Sequence, residues 1–169
     1  MDPLVVIVMG SKSDLEQAHH IQAGLAEFDV ASELRVASAH KSAHHLLQLL
    51  DEYESQECSL VYIAVAGRCN ALGGLIDVNT SSPVINCPPY SGKFGGADIF
   101  SSLRMPGGVA CVTVLEPQAA ALAAVKILAL RDPALAQRVR RYQRALETTI
   151  IQHDGEVRND PWTPPLPTD

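Results

Sequence analysis

The chain has 169 residues, of which 47% are hydrophobic and 5% aromatic, and its formal net charge is −6. A chain of this length can bury the core of one domain without disulfides or metals. We therefore expect a single α/β domain over residues 1–153, followed by a proline-rich extended tail over residues 154–169. The negative charge argues against a nucleic-acid partner, because binding to a phosphate backbone needs a basic patch.

The cysteine pattern and the N-terminal residues bear on the cellular compartment. The four cysteines form no CxxC pair and do not alternate with histidines at metal-ligand spacing. Reduced thiols, a cytoplasmic location and the lack of a metal site are the expected consequences. The N-terminal residues lack the basic segment and the cleavage pattern of a signal peptide.

The first predicted element is a strand over residues 4–9, an apolar run rich in β-branched side chains that ends at Gly10. Continuous runs of this kind are typical of a central parallel strand that is covered on both faces. The run is too short to span a membrane, so no membrane partner is expected.

A turn of small and polar residues, Gly10-Ser11-Lys12-Ser13-Asp14, follows this strand and opens a helix over residues 15–28. Ser11, Ser13 and Asp14 are residue types that cap helices, and Gly10 allows a ligand close to the backbone. An ordinary cap and a cradle for a phosphate both fit the turn. The chain has neither a GxGxxG nor a GxxxxGK[ST] motif, so we infer neither a dinucleotide fingerprint nor a P-loop.

A second group of polar residues, Ser38-Ala39-His40-Lys41, separates a strand over residues 30–37 from a helix over residues 40–54. A helix N-terminus at the carboxyl end of a parallel strand offers free N–H groups and a positive dipole end to an anion. These residues fit a site for an anionic ligand, and they equally fit a helix cap by Ser38 with its polar neighbours in water. Four other histidines are expected on exposed helix faces: His19, His20, His44 and His45.

The rest of the chain continues to alternate strands and helices. A buried strand over residues 60–66 leads into a long glycine-rich loop over residues 67–74, and such loops are more often functional than decorative. We expect further strands over residues 83–87 and 109–115, and helices over residues 97–104, 116–130 and 133–152. Dense alanine in the helix over 116–130 favours close packing against another backbone, within the chain or between subunits.

This order of elements predicts a three-layer, doubly wound parallel sheet of the flavodoxin or Rossmann type, with an extra C-terminal helix. The loops after the first three strands then meet at one edge of the sheet. Together they provide hydroxyls and amides for a phosphate, a carboxylate for ribose hydroxyls, an imidazole for proton transfer and a lysine. Such a set of groups suits a small phosphorylated substrate.

Several motifs, in this order along the chain, are similar to those of one enzyme family. They are Met9-Gly10-Ser11-Lys12-Ser13-Asp14, Ser38-Ala39-His40-Lys41, Ala66-Gly67-Arg68, Pro83-Val84-Ile85 and Ser102-Leu103-Arg104-Met105-Pro106 with Gly108. Through these motifs and its alanine-rich helix, the chain resembles the phosphoribosylaminoimidazole carboxylase (PurE) family of purine biosynthesis. The resemblance covers about residues 5–130.

The family has two classes, and this chain resembles the second, the animal and spirochaete carboxylases. The first class usually carries Ser-Ala-His-Arg and a histidine in the third loop, whereas this chain has Lys41 and no histidine in residues 67–74. The resemblance implies carboxylation of 5-aminoimidazole ribonucleotide (AIR) by carbon dioxide to carboxyaminoimidazole ribonucleotide (CAIR), without ATP, biotin or a metal. The alternatives are the first-class reaction, which rearranges a carbamate of the same nucleotide, and a non-catalytic flavodoxin-like domain that binds a phosphorylated ligand.

The resemblance also implies roles for single residues: His40 transfers the proton, and the substrate-binding residues are Gly10, Ser11, Ser13, Asp14, Ser38, Lys41, Gly67, Arg68 and Cys69. The implied partners are AIR, carbon dioxide and further copies of the chain in a tetramer or octamer, with no cofactor. The second class usually has serine where this chain has Cys69, and a thiol is a weaker hydrogen-bond donor than a hydroxyl.

Overall fold

A computed structural model of the chain describes residues 2–162. Its single sheet has five parallel strands in the order β2-β1-β3-β4-β5. The strands are β1 (Leu4–Met9), β2 (Ala31–Val36), β3 (Leu60–Val65), β4 (Val84–Asn86) and β5 (Val112–Thr113). The helices are α1 (Leu15–Ala26), α2 (Ala43–Glu54), α3 (Ala71–Asp77), α4 (Phe100–Leu103), α5 (Pro117–Leu128) and α6 (Pro133–Asn159), with 3-10 turns at Lys12–Asp14 and Lys93–Ile99. The predicted doubly wound α/β fold is confirmed.

Strand β1 lies between β2 and β3, second from the edge of the sheet, and is in register with both of these neighbours. Leu4 pairs with Ala31 of β2 on one side and with Leu60 of β3 on the other. All residues of β3 are buried, as the continuous apolar run predicted. Because helices cover both faces of such a sheet, its strands need no polar side of their own.

Alternate residues of β1 point into two separate apolar cores. Val5 and Ile7 pack in the core that includes α1 and α5, whereas Val6 and Val8 pack in the core that includes α2 and α3. The helices α1 and α5 approach so closely that a Cβ atom on Gly24 would lie 2.9 Å from the Cβ atom of Ala121. The alanine-rich helix is therefore closely packed within the chain, which is one of the two arrangements that its composition favoured.

The structure corrects the prediction in the segment after β3. Residues 71–77 form helix α3, where the sequence was interpreted as an open loop through Gly74. Glycine pairs are unfavourable in helices, so the local sequence argues against this one. Glycine is needed at position 73 because of a tertiary contact. A Cβ atom there would lie 1.8 Å from Oδ1 of the fully buried Asn86.

Two further boundaries differ from the prediction. Strand β5 contains only Val112–Thr113, rather than the whole apolar run over 109–115. Helix α6 ends at Asn159, so residues 154–159 are helical and not extended as predicted. The side chain of Trp162 is 80% exposed, so it does not anchor the C-terminal segment to the core. The predicted tail over residues 163–169 lies outside the described residues.

No helix within residues 2–162 has both the length and the apolar content that crossing a bilayer requires. The four predicted surface histidines are all exposed, as their helical positions indicated.

Candidate active site

The loops that follow β1, β2 and β3 meet in one cleft of about 580 Å³ at the carboxyl edge of the sheet. Every residue that the sequence assigned to a substrate or proton-transfer role lines this cleft. The juxtaposition follows from the parallel topology, because the carboxyl ends of parallel strands lie at the same sheet edge. The individual roles of these residues remain predictions.

The first loop is a 3-10 turn held by its own serines. Ser11 is the N-cap, and its Oγ accepts hydrogen bonds from the backbone N–H of Ser13 (3.3 Å) and from the Ser13 hydroxyl (3.0 Å). The capping interpretation is therefore correct for Ser11, and the same residue also lines the cleft. A Cβ atom on Gly10 would make only ordinary contacts, the nearest at 3.6 Å from Ala66, so the fold itself does not require glycine there.

Asp14 lies half-buried in the wall of the cleft. Burial raises the pKa of its carboxyl, and this effect outweighs the lowering by a hydrogen bond from Ser13. A partly desolvated carboxylate is a strong acceptor for hydroxyl groups of a ligand, since little water competes for it.

The second loop is a turn between the end of β2 and the start of α2. Ser38 Oγ accepts a hydrogen bond from the backbone N–H of Lys41 (3.3 Å), and Ser42 Oγ accepts one from the backbone N–H of Ser38 (2.9 Å). Helix α2 begins at Ala43, three residues later than predicted. Ser38 thus stabilises the turn and is not the cap of the helix.

The side chains of His40 and Lys41 are exposed at this turn and line the cleft. Within the described part of the chain, neither side chain makes a hydrogen bond or an ion pair. An imidazole and an ammonium group without protein partners are both available to a bound ligand. The turn thus presents one group for proton transfer and one for an anion.

The third loop contains a residue in the left-handed region, Arg68, with φ 59°. Its N–H donates a hydrogen bond to Asp98 Oδ2 at 3.2 Å. Asn70 follows as the N-cap of α3, and its Oδ1 accepts from the N–H of Gly73 at 3.1 Å. Arg68 and Cys69 are exposed, and both line the cleft together with Gly67.

Sequence reasoning missed the wall contributed by the segment after β4, where Pro89, Ser91 and Asp98 line the cleft. The signal was present, because the glycine-rich segment over residues 90–96 also follows the carboxyl end of a strand and must lie at the same edge. With these residues the cleft contains two cations, Lys41 and Arg68, and two carboxylates, Asp14 and Asp98. No group of three or more His, Cys, Asp or Glu side chains in residues 2–162 is arranged to hold a metal ion.

Comparisons with known proteins agree with this geometry. The sequence model of the family described as AIR carboxylase matches residues 4–149. The chain belongs to the AIR carboxylase family. It is 50% identical over 153 residues to a phosphoribosylaminoimidazole carboxylase from Archaeoglobus fulgidus, covering 90% of this chain and 84% of that protein. The corresponding protein of Treponema denticola is 44% identical over 158 residues, covering 94% of this chain and 99% of that protein.

The fold has the same relatives as the sequence. The crystal structure of Treponema denticola PurE superposes with a TM-score of 0.91 at 43% identity, covering 93% of this chain and 99% of that one. The chain is thus an enzyme of the phosphoribosylaminoimidazole carboxylase type, from the PurE family of purine biosynthesis. In an AIR carboxylase, the cleft at the carboxyl edge is the candidate active site.

Proposed function

We propose that this chain carboxylates AIR directly with carbon dioxide to give CAIR, without ATP, biotin or a metal. The observation that carries the proposal is the position of His40 and Lys41. Both side chains lack protein partners among the described residues, and both face a cleft that also contains hydroxyls, backbone amides and the Asp14 carboxylate.

The reaction needs one proton-transfer group and little else. The electron-rich ring carbon of AIR attacks the carbon atom of carbon dioxide, and a carbon–carbon bond forms. That ring carbon then holds both the new carboxylate and its original hydrogen. The His40 imidazole takes this hydrogen as a proton, and the electron pair of the broken C–H bond restores the aromatic ring. In reverse, protonated His40 returns the proton and carbon dioxide leaves.

The three loops divide the recognition of AIR between them. Ser11 and Ser13 hydroxyls, neighbouring amides and the Lys41 ammonium contact the phosphate, since each of these groups donates hydrogen bonds to an anion. Asp14 accepts hydrogen bonds from the ribose hydroxyls. We assign a separate group of cleft-lining residues to the base and carbon dioxide: Ser38, Gly67 and Cys69, with Arg68 beside them.

The preference for carbon dioxide over a carbamate rests on two features of the chain. Lys41 stands where the first class usually has arginine, and no histidine occurs in residues 67–74. Among the described residues that line the cleft, His40 is the only histidine, so we assign proton transfer to this one imidazole. Both features are those of the second class that the sequence resembles.

We also propose that the enzyme works as a homo-oligomer, a tetramer or an octamer, in the cytoplasm. Several large apolar side chains are exposed on the second half of α6: Leu146, Ile150, Ile151 and Val157. A stripe of this kind supports contact with another copy of the chain. All four cysteines are free thiols, in agreement with a reducing compartment. Light scattering of the purified protein measures the assembly, and a monodisperse monomer would contradict it.

The decisive experiment compares two substrates on the purified protein. AIR with bicarbonate-buffered carbon dioxide should be converted to CAIR, and the carbamate N-carboxyaminoimidazole ribonucleotide without added bicarbonate should react more slowly. The rate with AIR should not change after treatment with a metal chelator or on addition of ATP. Faster conversion of the carbamate would assign the first-class reaction instead.

A further inference from the structure

The third loop of the cleft is held from outside by a segment that lies about 30 residues later in the chain. We call residues 98–102 the latch, because they hydrogen-bond to residues 67–70 at several points. Asp98 Oδ2 accepts from the N–H of Arg68 at 3.2 Å. Ser101 Oγ accepts from the N–H of Asn70 at 3.1 Å, and its proton is shared between the carbonyl oxygens of Arg68 (3.0 Å) and Asp98 (2.8 Å).

These bonds fix the one residue of the loop whose backbone is strained. Arg68 has φ 59°, a left-handed conformation that is unfavourable for a residue with a Cβ atom. Both backbone polar groups of Arg68 are bound by the latch, the N–H by Asp98 and the C=O by Ser101. The latch therefore offsets the strain and sets the direction in which residues 67–69 face the cleft.

The base of the latch is buried and attached to the sheet. Asn70 and Ser102 are 2% and 3% exposed, and Asn70 Nδ2 donates to Ser102 Oγ at 2.9 Å. Thr113 of β5 donates a hydrogen bond from its hydroxyl to the carbonyl oxygen of Ser102 at 3.0 Å. A rigid base of this kind is what accurate positioning of an exposed loop requires.

We propose that Asp98 and Ser101 are positioning residues for the AIR carboxylase reaction. They act through the backbone of Arg68 and hold the loop at residues 67–69 in the conformation that meets the base of AIR and carbon dioxide. The proposal rests on the proposed function for the identity of the ligand. It assigns to the latch no part in proton transfer, which belongs to His40.

The first test replaces Asp98. In D98A the N–H of Arg68 loses its acceptor, so its hydrogen exchange, followed by NMR, should accelerate at least about tenfold. At saturating AIR and carbon dioxide, kcat should fall about 10-fold to 100-fold, since displacement of a reacting group by about 1 Å costs up to that much. KM for AIR should change less than kcat, because the phosphate and ribose contacts stay in place.

Conservative variants separate positioning from mere damage to the fold. D98N keeps a carbonyl oxygen that can accept from Arg68, so both exchange and kcat should stay within a few-fold of the parent. In S101A the N–H of Asn70 loses its acceptor, so the exchange of the Asn70 amide should accelerate and kcat should fall as in D98A. S101T should restore both through its own Oγ. D51A removes an exposed carboxylate from α2, away from the cleft, and should alter neither quantity.

The results that would contradict the role of the latch differ from the result that would contradict the proposed function. Unchanged exchange of the Arg68 amide in D98A would overturn the latch, whatever the activity. Accelerated exchange with parent-like kcat would overturn its role in catalysis. A parent protein that converts no AIR would refute the proposed function, and the latch would then be judged by exchange together with equilibrium binding of AIR.

Discussion

Two regions of this enzyme contain similar polar residue types, but in one of them the side chains bind each other and in the other they do not. Beside β2, the hydroxyl of Tyr53 donates to Glu33 and accepts from Arg35 at 2.9 Å, and Arg35 also pairs with Glu52 at 3.3 Å. In the cleft, the side chains of His40, Lys41 and Arg68 have no such partner within residues 2–162. Polar groups that satisfy one another stabilise the fold, whereas those that face a cleft unsatisfied are available to a ligand.

The two regions also differ in how burial affects titration. Burial raises the pKa of Tyr53, so its hydroxyl stays protonated and keeps its hydrogen bonds to Glu33 and Arg35. Burial also raises the pKa of Asp14, but this carboxyl lines the cleft, where a ligand can reach it. Variants in the two regions should therefore separate activity from stability.

The largest effect is expected from H40N. Asparagine removes the proton acceptor and keeps a polar side chain of similar reach, so kcat for carboxylation should fall about 10³-fold. The free energy of unfolding should change by less than about 0.5 kcal/mol, because the His40 side chain is exposed. Steady-state kinetics, AIR binding by calorimetry and denaturant titration measure the three quantities.

H19N is the matched control, because His19 is exposed on α1 outside the cleft. It should leave kcat unchanged. An H40N enzyme with parent-like turnover would remove His40 from the reaction.

A smaller effect is expected from K41M. Methionine keeps the apolar stem of the side chain and removes the ammonium, so the loss should fall on phosphate binding. A hydrogen bond to a charged group is worth about 1.5–3 kcal/mol, so KM for AIR should rise about 10-fold to 100-fold. K126M, on the exposed side of α5, is the control and should not change KM. If K41M lowers kcat at saturating AIR and leaves KM unchanged, Lys41 acts in the chemical step instead.

The opposite pattern is expected from Y53F. The ring stays in the core, where Tyr53 is 2% exposed, but its two hydrogen bonds are lost. The free energy of unfolding should fall by about 1 kcal/mol, and kcat and KM should stay at the parent values. Urea titration measures the free energy of unfolding, and steady-state kinetics measure kcat and KM. A clear loss of activity at parent stability would show that this region communicates with the cleft.

The smallest effect on stability is expected from D14N, and its sign is positive. The folded-state pKa of Asp14 lies above its unfolded value, so the folded protein binds more protons between the two values and loses stability as the pH rises through them. Asparagine removes that cost. D14N should thus raise Tm slightly at pH 7, and the gain should vanish below about pH 4.

The same substitution should weaken AIR binding, because the amide lacks the charged acceptor for the ribose hydroxyls. Thermal melts at pH 7 and at low pH test the effect on Tm, and AIR titrations test the effect on binding. A lower Tm at pH 7 would contradict the assigned cost of the carboxylate.

The sequence revealed those parts of the fold that local patterns determine. Continuous apolar runs identified β1 and β3, and parallel topology then placed the polar loops at one edge. Helix α3 was missed because glycine is required at position 73 by the close approach of Asn86. These two residues are distant in the chain, so the sequence around Gly73 gives no sign of the contact. The hydrogen bond of Asp98 to the third loop was missed because its partner, the Arg68 N–H, is a backbone group whose left-handed conformation the sequence does not display.

The place of β1 between two strands that follow it in the chain also has a cost during synthesis. Leu4 to Met9 is made before either neighbour, and its pairing with β3 must wait until Leu60 and the residues after it have left the ribosome. At typical translation rates that delay is on the order of 3–10 s. During it, an apolar β-prone segment lacks one of its two partner strands and is exposed to other nascent chains. We therefore expect aggregation during expression, more than instability of the finished enzyme, to limit the yield at high synthesis rates.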